Sequence, residues 1–404
     1  MKSLRCLIYG LMLVLLLMAL DCGRFSDHSV LQVGEPASVG VDGARLGRID
    51  TLVNAAVNQG KIPGAVVLVG RHHKIIYRKA FGQAQLTPEP EPMTVNRIFD
   101  LASVTKPVGT ATSVMILIER GLLRLTDPVS AYIPEFRNYT GPDGQPGEPI
   151  RIYHLLTHTS GLPAYTNAKA LREQYGAPCP EAVIQKIATL DRLNPPGEVF
   201  RYSCLGFITL AEIVRRISGQ TIDRFAYENI FKPLNLRATT YCPPAAWRPW
   251  IAPTEVIEGQ PLRDLVHDPL AQLMDGKSGN AGLFSSANDL AVFCQMMING
   301  GVYGKTRILS PLTVQAMTTI FPKTASAGRG LGWDVYSDYS SNMGDLLPVN
   351  AYGHTGFTGT SLVVDPETRT FIIFLSNRVH LPQGDVMALR SQIANVVAAS
   401  ITRR

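Results

Sequence analysis

The sequence predicts an α+β, two-lobed fold: an antiparallel sheet flanked by N- and C-terminal helices, joined to a mainly helical lobe. Three observations carry this expectation. Paired β-rich runs stand near both ends of the chain, helical patterns fill the middle, and one helix precedes the first pair while another follows the last. The simplest packing joins the two hairpins into one sheet and lays the terminal helices on it, which leaves the middle of the chain as a second lobe. A cleft between a sheet edge and a helical lobe is a usual place for a site.

Each element follows from its local pattern. VDGARLGRIDTLVNAAVNQG has helical spacing at Leu46, Ile49, Leu52, Val53 and Val57 and stops at Gly60. GAVVLVGRHHKIIYRKAFG gives two β-rich runs around a polar Arg71–Lys74 turn, the pattern of a hairpin. Helical patterns run from Ser103 to Arg120, Cys204 to Ser218 and Ala287 to Ile298, separated by loops rich in Pro and Gly. TSLVVDPETRTFIIFLSN supplies two strands around Asp365–Arg369, and VMALRSQIANVVAASI supplies the closing helix. The expected division is an export signal over 1–22, a tether over 23–40 and one folded unit over 41–404. Within that unit, 41–100 and 330–404 form the sheet lobe and 101–329 the helical lobe.

Composition narrows the function classes. The chain has 404 residues, 46% of them hydrophobic and 17% charged, as expected of a folded globular protein. Its net charge of +6 is not gathered into a Lys/Arg run, so no nucleic-acid partner is expected. Lys2 and Arg5 precede an apolar run from Leu7 to Leu20, too short and wrongly flanked for a spanning helix, which fits a signal peptide. The run ends ALDC, similar to a bacterial lipoprotein box with Cys22 as the lipidation candidate, although Asp21 departs from the small residue such a box carries. An uncleaved anchor is the other reading. Either way the body is expected outside the cytoplasm, in the periplasm or at the cell surface, touching membrane only through this anchor or lipid. Cys179, Cys204, Cys242 and Cys294 are irregularly spaced with no C-x-x-C pair, which disfavours a zinc cluster or a redox motif.

Three stretches carry candidate chemistry. In FDLASVTKPVGTATSVMILIER, Ser103 opens a helix and Lys106 follows three residues on. Residues so spaced share a helix face with Cβ atoms roughly 5–6 Å apart, within reach of a proton exchange. Ser-x-x-Lys suits a serine nucleophile helped by an amine, and a lysine in the first turn of an apolar helix needs a partner. A serine that merely caps the helix is the bland alternative. RYSCLGF offers Tyr202 and Cys204 at the mouth of a helix, readable as core packing, a cysteine nucleophile or a tyrosine placed for proton transfer. In GHTGFTGTSLVV, His354-Thr355-Gly356 precedes a strand, with glycines that permit close backbone approach to a ligand or mark a bend. His154 and His158 stand four apart without an intervening Glu, and a structural role is favoured over metal. DGKSGN lacks the first glycine of a phosphate loop, and Asn280 there breaks Gly-x-Ser-x-Gly.

In order and together, Ser103-x-x-Lys106, Tyr202-Ser203-Cys204 and His354-Thr355-Gly356 resemble the motif set of the serine β-lactamase-like superfamily. The nearer likeness is to the class C β-lactamase group with its D-Ala-D-Ala carboxypeptidase and family VIII esterase relatives. LTDPVSAYIPEF, IYHLLTHTSGLP, NPPGEVFRYSCLGF and NAGLFSSANDLAVF support it, and the likeness runs from about Val41 to the C-terminus. It implies a β-lactamase/transpeptidase-like fold. It also implies Ser103 as acylated nucleophile, Lys106 and Tyr202 as proton carriers, and the backbone N–H groups of Ser103 and Phe357 as oxyanion hole. Cys204, His354, Thr355 and Gly356 would contact substrate, and neither metal nor organic cofactor is implied. Two positions depart from the family. His354 stands where a lysine is common, and Cys204 replaces the asparagine whose carboxamide helps hold substrate, a task a thiol performs poorly. The expectation is an exported serine hydrolase acting on small-molecule esters or peptidoglycan-type peptides, with weak or no β-lactamase activity. Its rival is an inactive penicillin-binding-like surface protein that binds wall fragments or a protein partner.

Overall fold

The computed structural model describes residues 30–403. The expected export signal, Cys22 included, lies outside the described residues. The sheet lobe is assembled from both ends of the chain. Its N-terminal elements are β1 (Gln32–Val33), α1 (Arg48–Asn58), β2 (Gly64–Arg71), β3 (Lys74–Gln85) and β4 (Glu91–Pro92). The helical lobe begins after β5 (Ile98–Asp100) and contains α2 (Thr112–Glu119), α3 (Cys204–Ser218), β6 (Thr240–Tyr241), β7 (Leu283–Ser286) and α4 (Ala287–Ile298), with shorter helices between. The chain then returns through β8 (Tyr352–Thr355), β9 (Ser361–Asp365) and β10 (Thr370–Ser376) and ends on α5 (Met387–Ser400).

The main sheet runs β1-β3-β2-β10-β9-β8, with β4 beside β3, so the hairpins meet at the antiparallel β2–β10 pair, Leu68 opposite Ile373. Side chains alternate between its faces as the two-residue strand period requires. Ala65, Val67 and Val69 turn toward Ile49 and Val53 of α1 and Ile393 and Val397 of α5. Val66 and Leu68, with Phe371, Ile373 and Leu375 of β10, face the helical lobe and pack in the larger core. A second, three-stranded sheet β5-β7-β6 carries the chain from the main sheet into that lobe.

Two details differ from the sequence reading. Residues 30–40, read as the end of a tether, are part of the folded body: β1 pairs in parallel with β3, and the Leu31 N–H donates to the Tyr303 hydroxyl at 3.0 Å. Arg71, read as part of a polar turn, is fully buried and donates to the carbonyls of Thr368, Val39, Gly40 and Arg403, tying residues 39–40 and Arg403 to the hairpin. Its guanidinium fork satisfies backbone that the short terminal segments cannot pair themselves.

The fully buried Phe371 ring lies over Gly70, where an added Cβ would stand 2.0 Å from the ring. Phe371→Ala is expected to destabilise the fold by about 3–5 kcal/mol through lost burial and an unfilled cavity. Denaturant unfolding measures it; a loss below about 1 kcal/mol would mean that the joint between the hairpins is not a packed core.

Candidate active site

Ser103 sits where the chain leaves the small sheet. The expected single helix from Ser103 to Arg120 is instead a 3₁₀ turn (Ala102–Val104), a π-turn (Lys106–Ala111) and then α2. Pro107 lacks an N–H and cannot join a regular ladder, and the Thr112 and Ser113 hydroxyls take up the carbonyls of Pro107 and Gly109. Ala102 is held at φ 46°, a left-handed conformation unusual for a residue with a side chain and of the kind found at functional sites. Its N–H donates to Asp100 Oδ1 at 2.8 Å, and Asp100 Oδ2 accepts from the His267 N–H at 2.7 Å. The Ser103 loop is therefore fixed by hydrogen bonds.

The turn after β8 is stitched to the same loop. Thr358 and Thr360 hydroxyls donate to the carbonyls of Asp100 and Leu101, each at 2.8 Å. Gly356 lies between: a Cβ there would stand 2.1 Å from Thr360 Oγ1 and 2.4 Å from the Leu101 carbonyl oxygen. These contacts hold the Phe357 backbone against the Ser103 turn. The N–H groups of Ser103 and Phe357 donate to no acceptor among the described residues.

Lys106 is wholly buried behind Ser103. Its Nζ donates to Ser103 Oγ at 2.8 Å, to the Asn280 carbonyl at 2.9 Å and to Cys204 Sγ at 3.5 Å. Three acceptors around one Nζ match the three donors of an ammonium. Burial works against that charge, but its neighbours Cys204 and Tyr202 raise Lys106 above the ordinary lysine value. Tyr202 stacks between His158, at 4.3 Å, and Tyr339, at 5.2 Å, with Lys106 Nζ 5.0 Å from its ring centre. Burial raises the Tyr202 phenol, while the Lys106 charge pulls it back. Each group therefore shifts the other.

A cavity of about 500 Å³ opens over these groups, lined by Ser103, Tyr202, His354, Thr355, Gly356 and Phe357. Lys106 and Cys204 are not among the residues that line it: Lys106 reaches the site through Ser103 Oγ, and Cys204, expected from the sequence to contact substrate, meets Lys106 instead. His354 is buried, and its pKa falls well below the ordinary histidine value because of burial, then the Arg329 and Lys106 charges. It is uncharged at neutral pH. Phe357 is exposed at the rim, under the Arg378 guanidinium at 4.6 Å and beside the His267 ring.

His154 and His158 have structural tasks. His154 Nδ1 accepts the Arg151 N–H, and His158 Nδ1 accepts the Ser203 N–H at 3.1 Å, which fixes the start of α3 under Tyr202. The sequence reading did not find Tyr339, Arg329, Asp334 and Asn342, which line the cavity from the segment between α4 and β8. A helix, Pro311–Thr318, lies in that segment, but all four residues follow it, in a stretch where the hydrophobic pattern gives no helix or strand signal. Cys179, Cys204, Cys242 and Cys294 are free thiols.

Comparison with known proteins agrees with this geometry. A family model described as Beta-lactamase matches residues 49–395. A protein of Escherichia coli (strain K12), provisionally named a D-alanyl-D-alanine carboxypeptidase, is 33% identical over 402 residues, covering 93% of this chain and 92% of its own. Among solved structures, EstCE1, described as a hydrolase with promiscuous acyltransferase activity, superposes with a TM-score of 0.71 at 25% identity, covering 88% of this chain and 99% of its own. A family VIII carboxylesterase shares the fold, with a TM-score of 0.65 at 19% identity over 89% of this chain and 98% of its own.

Because Gly356 admits no side chain, Gly356→Ala is expected to push the Phe357 turn off the Ser103 loop and leave the rest folded. Labelling of Ser103 by a fluorophosphonate should slow by about 100-fold, the scale of a misplacement near 1 Å. Labelling at the wild-type rate would show that the stitched turn does not support the serine.

Proposed function

Because the chain belongs to the β-lactamase family, as a hydrolase whose relatives include carboxypeptidase-like and carboxylesterase-like proteins, we propose that it works through an acyl-enzyme on Ser103. The observation that carries this is the 2.8 Å contact of Lys106 Nζ with Ser103 Oγ beside the Tyr202 ring. The substrates are esters, or amide bonds of cell-wall-type D-amino-acid peptides, with esters favoured. β-Lactams are turned over weakly or not at all.

The scissile carbonyl lies over Ser103 with its oxygen at the N–H groups of Ser103 and Phe357, which take the charge that develops on attack. Ser103 Oγ attacks, and its proton passes to the Lys106–Tyr202 pair. When that pair has lost one proton, the three acceptors around Lys106 keep the remaining charge on the ammonium. Tyr202 is then the base, a phenolate held by the neighbouring cation, and it returns the proton to the leaving group. A water that delivers its proton to Tyr202 releases the acid.

Cys204 favours esters. Its thiol accepts from Lys106 but offers only a weak donor to an acylamido side chain. The neutral His354 likewise lacks the fixed cation that holds a β-lactam carboxylate. The basic residues and apolar run before Cys22 support export of the protein to the periplasm or the cell surface, as a signal peptide or lipoprotein.

With p-nitrophenyl acetate, nitrocefin and a D-Ala-D-Ala peptide compared side by side, the ester is expected to have the largest kcat/KM. Ser103→Ala should abolish all three reactions, and Cys204→Asn should raise peptide turnover relative to the ester. Faster β-lactam or peptide turnover by the wild type would contradict the ester preference, and no turnover of any substrate would favour a binding role.

The pH dependence has a definite sign. The Lys106–Tyr202 pair must lose a proton to act, and both groups are raised, so kcat/KM should climb with pH into the alkaline range. His158 and His354 are both lowered, so no inflection is expected at the ordinary histidine value of 6.5. A limb centred there would identify a histidine as the base.

A further inference from the structure

An oxyanion hole works only while its N–H groups stay aimed at one point, and α5 carries a residue that aims one of them. Arg390 stands three residues before Ile393, on the helix face that Ile393 and Val397 turn toward the sheet, and it is only 9% exposed. A cation on such a face needs acceptors. Burial, then the Arg378 charge, lowers its pKa, yet a guanidinium keeps its proton at neutral pH. Arg390 Nη2 donates to the Gly356 carbonyl at 2.9 Å and to the Thr360 carbonyl at 2.7 Å.

The first of these carbonyls belongs to the same amide as the Phe357 N–H. That amide is trans and planar, so its C=O and N–H point in opposite directions. Holding the oxygen on Arg390 therefore sets the direction of the N–H, which donates to no acceptor among the described residues. The Thr360 carbonyl also accepts the Gly356 N–H at 2.7 Å, so one Nη2 ties both ends of the turn that carries Phe357. On the far side of that residue, Arg378 Nε donates to the Phe357 carbonyl at 2.8 Å.

The amide also transmits charge. A cation on a carbonyl oxygen favours the resonance form with a C–N double bond and a positive nitrogen. The N–H of that amide then becomes a stronger donor, as in any chain of polarised hydrogen bonds. The gain is felt when negative charge develops opposite the N–H, which is in the transition state rather than in the bound ester.

We propose that Arg390 is a positioning residue for the oxyanion hole: through the Gly356 carbonyl it aims and strengthens the Phe357 N–H. The proposal rests on the acyl-enzyme reading and adds to it a residue that acts from behind the hole. The test uses the full chain with p-nitrophenyl acetate and its thiono analogue, in which sulfur replaces the carbonyl oxygen. Sulfur is a weak hydrogen-bond acceptor, so the hole does little for the thiono ester. Arg390→Met is expected to lower kcat/KM for the oxygen ester by about 100-fold, the scale of one lost oxyanion donor, and for the thiono ester by less than about ten-fold. Arg390→Lys keeps a cation in the same place and should lose about ten-fold on the oxygen ester, the scale of one hydrogen bond to a charged group. Its loss too should fall mainly on the oxygen ester, so either variant decides the question if the other does not fold. A side chain that merely supports the fold, or one that touches the substrate, would slow both esters equally. Equal losses, or wild-type rates in the variants, overturn the role while the wild type still hydrolyses p-nitrophenyl acetate. If the wild type does not hydrolyse p-nitrophenyl acetate, the acyl-enzyme reading falls and the role of Arg390 with it.

Discussion

The site depends on one buried cation. Lys106 is wholly removed from solvent, and its ammonium is tolerable there because Ser103 Oγ, the Asn280 carbonyl and Cys204 Sγ surround it as acceptors. A buried charge without such partners would neutralise or unfold its surroundings. Each acceptor comes from a different stretch of the chain: the turn after β5, the loop before β7 and the start of α3. Meeting the needs of one Nζ therefore brings the three stretches together. The same charge draws the Tyr202 phenol toward ionisation and helps keep His354 and His158 neutral. The surroundings of Ser103 and Tyr202 and the polarity of the cavity wall are consequences of a single placement.

The sheet supplies the other half of the site. β8 ends in a turn whose threonine hydroxyls grip the backbone leading to Ser103, so a strand from the C-terminal end of the chain is registered against a loop from the N-terminal third. That registration rests in turn on the β2–β10 pair, where the two hairpins meet. Arg71 closes the arrangement by holding the first and last described segments to the hairpin turn.

Much of this was legible in the sequence, and the reasons are physical. The continuous β-rich apolar runs in GAVVLVG and TFIIFLS were legible as strands, because both faces of the sheet are covered. Ser103, Lys106, Tyr202 and His354 were legible because their residue types and order form a recognisable set. What escaped was governed by long-range contact. Nothing in RHHK says that Arg71 will be buried against residues 39–40 and Arg403. Nothing in the aperiodic stretch 319–351 says that Arg329, Asn342 and Tyr339 will line the cavity. The break of the Ser103 helix into 3₁₀ and π turns follows from Pro107, a local signal outweighed by the apolar pattern beyond it.

If Lys106 and Tyr202 are one proton-carrying unit, removing both should cost little more than removing the more damaging one. The direct measurement is a double-mutant cycle on kcat/KM for p-nitrophenyl acetate, with Lys106→Ala, Tyr202→Phe and the pair. The account predicts a double variant about as slow as the slower single variant, as for groups that act together. Losses that simply multiply would show two independent contributions and contradict it.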